Sequence, residues 1–198
     1  MEFISDILYW ISTGLLVPVI VALIGLFIYS LILVGGFFGQ FMLIRRTSKS
    51  IREALTGLSM ANIDAVASKL PQADNILVLK YVQSMIAQKE SPAEVRRLLA
   101  EFEIESARDL SSSRTLSKLG PMLGLMGTLI PMGPALAGLA SGDIESMARN
   151  MQVAFATTVT GLVAAVIGFV LMQVKQRWYQ QDLANLDYLA EVILGEDK

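Results

Sequence analysis

Three long stretches of the chain carry no charge. No Asp, Glu, Lys, Arg or His occurs from Gly14 to Ile44, from Leu119 to Gly142, or from Asn150 to Val174. A bilayer crossing takes about 20 predominantly apolar residues, so each run predicts a transmembrane helix. The expected fold class is an all-α membrane protein of three spans, with spans two and three extended into a cytoplasmic helical bundle. A cleaved signal peptide is disfavoured for the first run: no basic stretch precedes it, and it exceeds the apolar core of about 7–15 residues that such a peptide carries. Residues 1–13 (MEFISDILYWIST) are amphipathic and include Tyr9 and Trp10, as expected of an interfacial helix leading into the first span.

Charge orients these spans. Of 16 Lys and Arg residues, 12 lie between Arg45 and Lys118, and Lys175, Arg177 and Lys198 follow the third run. The opposite side holds only Arg149, with Glu2, Asp6, Asp143 and Glu145. Basic residues beside span ends mark the cytoplasmic face, so the N-terminus is expected outside and the C-terminus inside a cytoplasmic membrane. The expected organisation is an N-terminal helix (1–13), span one (14–44), a cytoplasmic helical region (45–118), span two (119–142), an external turn (143–149), span three (150–174) and a cytoplasmic extension (175–198).

Within 45–118, SPAE at 91–94 predicts a helix start, with Ser91 as N-cap, Pro92 at the first helical position and Glu94 two residues on. Val95, Leu98, Leu99, Phe102, Leu110 and Leu116 form a broken apolar stripe, and neither Gly nor Pro occurs in 93–119. One helix is therefore expected to run from the cytoplasm into span two. Trp178, Leu183, Leu186, Leu189 and Ile193 predict a similar extension of span three, and Asp74 is expected to cap a short helix beginning near Asn75.

Composition narrows the chemistry. The chain has 198 residues, 54% of them hydrophobic, and neither Cys nor His. Disulfides, Cys- or His-ligated metals and His acid–base catalysis are excluded. No metal site or cofactor is expected. With no nucleophile–base pair in any span, neither is an enzyme. A formal net charge of −2 argues against nucleic acid as a partner.

Spans two and three carry small residues in register. At about 100° per residue, Gly120, Gly124, Gly127, Thr128, Pro131, Ala135 and Gly138 fall within about 100° of arc. Ala154, Thr158, Gly161, Ala165 and Gly168 form the matching stripe in span three, with Thr157 flanking it and Thr160 pointing away. Small residues let membrane helices approach closely, which assigns Gly120, Gly124, Gly127, Pro131, Ala154, Gly161 and Ala165 to helix packing. Membrane threonines commonly bond a carbonyl one turn earlier, the role expected of Thr160. Thr128 and Thr158 share faces with the small residues and are candidates to line a narrow polar path. No span supplies a titratable side chain, so an acid that binds an ion there would have to come from another chain.

The run GPMLGLMGT at 120–128 resembles the P-x-x-G-L-x-G-T signature of span two in the MotA/TolQ/ExbB proton-channel family. AFATTVTGLVAA at 154–165 is similar to the third-span A-L-x-[AT]-T-x-x-G-L-x-A-A pattern, and the SGD turn at 141–143 also fits. Three spans place the chain nearest the TolQ/ExbB type. The resemblance implies a pentamer around a pair of single-span partners like ExbD, TolR or MotB, whose membrane Asp binds the ion. Thr128 and Thr158, with Thr157 beside them, match the hydroxyls lining that path. The implied function is an ion-channel-forming subunit of an inner-membrane motor or energy-transducing complex; a structural scaffold packed by small-residue stripes is the alternative. Two positions depart from the pattern: Val153 stands where TolQ and ExbB commonly place Glu, and Ile167 where Pro is usual. The second hydroxyl at Thr157 keeps sodium beside the proton as the driving ion.

Overall fold

The computed structural model describes residues 2–55 and 76–195; Asp74 lies outside them. Five helices account for nearly all of these residues: α1 (Glu2–Gly14), α2 (Leu16–Leu55), α3 (Leu77–Ala87), α4 (Pro92–Ser141) and α5 (Ile144–Leu194). No strand occurs among the described residues. Three helical runs are long and apolar enough to cross a membrane: Ile7–Gly39 through α1 and α2, and the runs within α4 and α5. The first run begins inside α1. The Leu15 N–H donates to the carbonyls of Ile11 and Ser12, and the Val19 N–H to Leu15, so helical bonding continues through the junction.

Helix α4 starts at Pro92, where the N–H groups of Glu94 and Val95 donate to the Ser91 carbonyl. At 50 residues it extends about 75 Å, and Pro121, Pro131 and Pro134 all sit inside it. Its end is sharp. Gly142 takes a left-handed φ of 78°, which returns the Asp143 N–H to the Gly138 carbonyl at 2.8 Å. Asp143 then accepts the Ser146 N–H at 3.0 Å and caps α5. The expected turn over 143–149 is therefore only two residues long. Residues 144–149 already belong to α5, with Glu145 in the first turn, where the helix dipole favours an acid, and Arg149 bonded back to it at 2.8 Å.

The chain divides into two units. One comprises Met1–Gly35 with Ser112–Met172, the other Gly36–Ser111 with Gln173–Lys198. In the second, α3 contributes Leu79, Val82 and Met85 to a core completed by Val95, Leu98 and Phe102 of α4 and Leu186, Leu189 and Ile193 of α5. Phe102, Leu186 and Leu189 are fully buried, as apolar side chains at helical spacing on three facing helices should be.

In the first unit α4 and α5 run antiparallel in backbone contact. A Cβ added to Gly120 would stand 2.6 Å from the Gly161 carbonyl oxygen and 3.0 Å from Ala165 Cβ. One added to Gly168 would meet Ser117 N at 2.7 Å and Ser113 O at 2.9 Å. The start of the second uncharged run is thus level with Ala165, well short of the end of the third run at Val174. Consequently α4 residues 113–118, with two cations among them, lie beside an uncharged part of α5.

Candidate functional site

Every residue assigned to close packing is buried. Pro131, Ala154 and Ala165 are almost without exposure, as are the four glycines Gly120, Gly124, Gly127 and Gly161. Gly124 lies against the Thr158 backbone and Gly161, with its prospective Cβ at 3.5–3.6 Å from both. Gly127 is tighter: a Cβ there would fall 2.6 Å from Thr157 Cβ and Oγ1 and 3.3 Å from Leu23 Cδ1. Glycine at 127 is what admits the Thr157 side chain.

All four threonines of spans two and three hydrogen-bond within their own helices. Thr128 Oγ1 donates to Leu125 O (2.7 Å), Thr158 to Ala154 O (3.1 Å) and Thr160 to Ala156 O (2.8 Å). Thr157 lies between the carbonyls of Val153 (3.0 Å) and Ala154 (2.9 Å). The backbone bond expected to set Thr160 apart is therefore common to the four, and each hydroxyl retains lone pairs for a further ligand.

What separates them is the side of the helix pair. Val19 and Leu23 of α2 pack with Ile130 and Leu123 of α4. On α5, Thr157 and Thr160 line a cavity of about 270 Å³ together with Val153, Ala156, Ile20, Leu23 and Ile24. Thr157 and Thr160 thus face α2. Thr128 and Thr158 are half-buried at the opposite edge of the α4–α5 contact, since helical geometry turns each of them about 50° or more away from the contact and from the α2-facing residues. The structure brings Thr128 and Thr158 to one flank and places Thr157 on the other. Val153 lies on the α2 side as well, so an acid at that position would face α2.

The second unit holds a polar cluster that went unnoticed in the sequence. Lys175 Nζ and Tyr179 Oη both donate to Asp109 Oδ2 at 2.8 Å. Burial, reinforced by the bond to Asp109, raises the Tyr179 hydroxyl pKa well above its ordinary value. Asp182, one turn further along α5, is 8% exposed, and burial pushes its carboxyl up to about 6. A signal was present: Leu171, Lys175, Asp182 and Leu186 follow the spacing of the buried stripe, and a charged residue on such a stripe needs a partner. Among the described residues no group of acids could hold a metal ion.

The segment containing both small-residue helices matches a known family model. Residues 69–187, more than half of the chain, fit the model of the MotA/TolQ/ExbB proton channel family. The chain belongs to this family. A biopolymer transport protein ExbB homolog of Methanothermobacter thermautotrophicus is 39% identical over 61 residues, covering 30% of this chain and 22% of the relative. The chain thus spans about a fifth of that relative's length in the match. For a MotA/TolQ/ExbB member, the family model covers all of α4 and α5 as far as Asp187, including every close glycine contact between them.

Proposed function

We propose that this chain is the channel-forming subunit of a cytoplasmic-membrane complex that turns proton or sodium motive force into rotation or conformational work. The observation that carries this reading is the Thr128/Thr158 flank: two hydroxyls from facing helices, on the side away from α2, in runs without a titratable side chain. Hydroxyls of this kind can hold water or a partly stripped cation but cannot bind and release a proton near neutral pH. The acid must then come from a second chain, a single-span ExbD-, TolR- or MotB-like helix carrying a membrane Asp. Several copies of this chain, five by analogy with the family, would surround a pair of such helices. The N-terminus lies outside and the C-terminus inside, as the basic residues indicate.

The Asp, protonated from outside, would discharge inward as it passes the threonines, and the subunit ring would turn relative to the partner pair. Thr157 supports this path from behind, filling the space that Gly127 leaves. The test is Thr158→Val, which retains shape and removes the hydroxyl. It should abolish ion-driven function in an assembled complex, Thr128→Val should weaken it, and Thr160→Val should be nearly neutral. Full activity of Thr158→Val would take that hydroxyl off the ion path, and an inactive Thr160→Val beside it would place the path on the opposite side of α5.

A further inference from the structure

Arg114 and Lys118 are exposed cations in an unusual place. The register of Gly168 against Ser113 and Ser117 sets both level with the stretch of α5 around Ala165–Val170, which has no charge, with Lys118 turned about 40° further from α5 than Arg114. The α5 side chains at this level, Val166, Phe169 and Val170, are exposed and apolar. Neither cation makes an ion pair among the described residues. Asp109, the nearest acid preceding them on α4, is committed to Lys175 and Tyr179. Azimuth adds a second observation. Arg114, Pro121 and Thr128 are seven residues apart, a spacing that drifts only about 20° per step, so Arg114 shares the flank of Thr128 about 21 Å nearer the cytoplasm.

We propose that Arg114 and Lys118 line a water-filled inner mouth and repel free cations there, so that an ion crosses only as a neutral pair with the partner's carboxylate. The idea rests on the Thr128/Thr158 flank being the ion path. A charged side chain facing hydrocarbon is costly, and two without counter-ions are most readily accommodated in water. Repeated around an oligomer, two fixed positive charges per copy make a field that depletes cations from a narrow opening. A protonated or ion-paired carboxylate has no net charge and does not feel it. The pair therefore acts against leak without blocking coupled transfer.

A reporter thiol tests the mouth, since the chain has no native Cys. Ser117→Cys in the purified oligomer should react with both sulfonatoethyl and trimethylammonioethyl methanethiosulfonate, the anionic reagent being favoured. Adding Arg114→Gln with Lys118→Gln should reduce that preference about tenfold, whereas Arg114→Lys with Lys118→Arg should preserve it. In liposomes holding the full chain without its partner, the double Gln variant should release K⁺ at least about tenfold faster than the parent. A thiol silent to both reagents, or a preference that the Gln pair leaves unchanged, overturns the cationic mouth. A shifted preference without added K⁺ release overturns the leak barrier alone. The ion path itself is judged separately by Thr158→Val, so the two failures are distinguishable.

Discussion

Gly161→Ala should be the most informative single methyl in the protein. Its Cβ would stand 2.5 Å from the Gly120 carbonyl oxygen and 3.0 and 3.1 Å from Gly124 Cα and N. All three are backbone atoms, which no rotamer change can move. Carbon atoms rest at about 3.5–4.0 Å from their neighbours, so α4 and α5 would have to part by about 1 Å. Overpacking of this kind costs about 1–3 kcal/mol. For a chain of this length each kcal/mol moves the melting temperature by about 2–4 °C. Two controls isolate the effect. Gly124→Ala points at the same helix but finds its neighbours at 3.5–3.6 Å, an ordinary contact, and should be near neutral. Gly25→Ala meets nothing within 4 Å and should at most gain the helix propensity of alanine, up to about 1 kcal/mol. Thermal unfolding of the detergent-purified chain, with native mass spectrometry for assembly, reads all three. A Gly161→Ala protein that melts with the parent, or a Gly124→Ala protein that falls as far, would refute the backbone-contact account.

Asp182→Asn should stabilise the protein at pH 7–8. The native carboxyl titrates near 6 and the unfolded one near the ordinary 3.8, so its contribution is complete below pH 3.8, is lost as pH rises to 6, and stays lost above. Removing the charge should recover at most about 3 kcal/mol and flatten the fall in stability between pH 4 and 6, measured by denaturant titration at several pH values. Asp109→Leu should destabilise by about 2 kcal/mol or more by stranding Lys175, whose side chain is 11% exposed, and Asp109→Leu with Lys175→Met should restore most of the loss in the same titration. Gly127→Ala should lower the melting temperature and weaken assembly on native mass spectrometry, because its Cβ would fall 2.6 Å from Thr157 Cβ and Oγ1, whereas Thr157→Val should assemble normally.

The spans were legible because an absence of charge over more than 20 residues has few other readings, and the long helices because nothing between Ala93 and Leu119 breaks one. The turn between spans two and three is shorter than expected for a physical reason: Glu145 and Arg149 look like loop residues, yet one is well placed in a first helical turn and the other pairs with it. Assignments within FATTVTG were harder. A helical wheel gives the azimuth of each hydroxyl about its own axis but not where a third helix stands. Thr160 was correctly turned away from the small-residue stripe, but that direction leads to the cavity beside α2 that Thr157 also lines. Nor can a wheel give the relative height of two antiparallel helices, and this height is what places Arg114 and Lys118 level with uncharged α5.

Val153, which departs from the family pattern, and Thr157, which fits it, share one side of α5. Val153, at the position where TolQ and ExbB commonly place Glu, and Thr157, the second hydroxyl, both face α2 across one small apolar cavity. A buried carboxylate there would need a charged or hydrogen-bonding partner, and the α2 residues lining the cavity are Ile20, Leu23 and Ile24, which offer none. Valine suits that lining. Thr157 suits it as well, because its single hydroxyl proton is shared between two carbonyls of its own helix. Both residues thus belong to the side of α5 that packs on α2, so the departure at Val153 leaves the Thr128/Thr158 flank unaltered. If that flank carries the ion, losing the acid at 153 does not remove a group from the path, and Val153→Glu should unsettle the α2 contact and lower the melting temperature without restoring or improving ion-driven function.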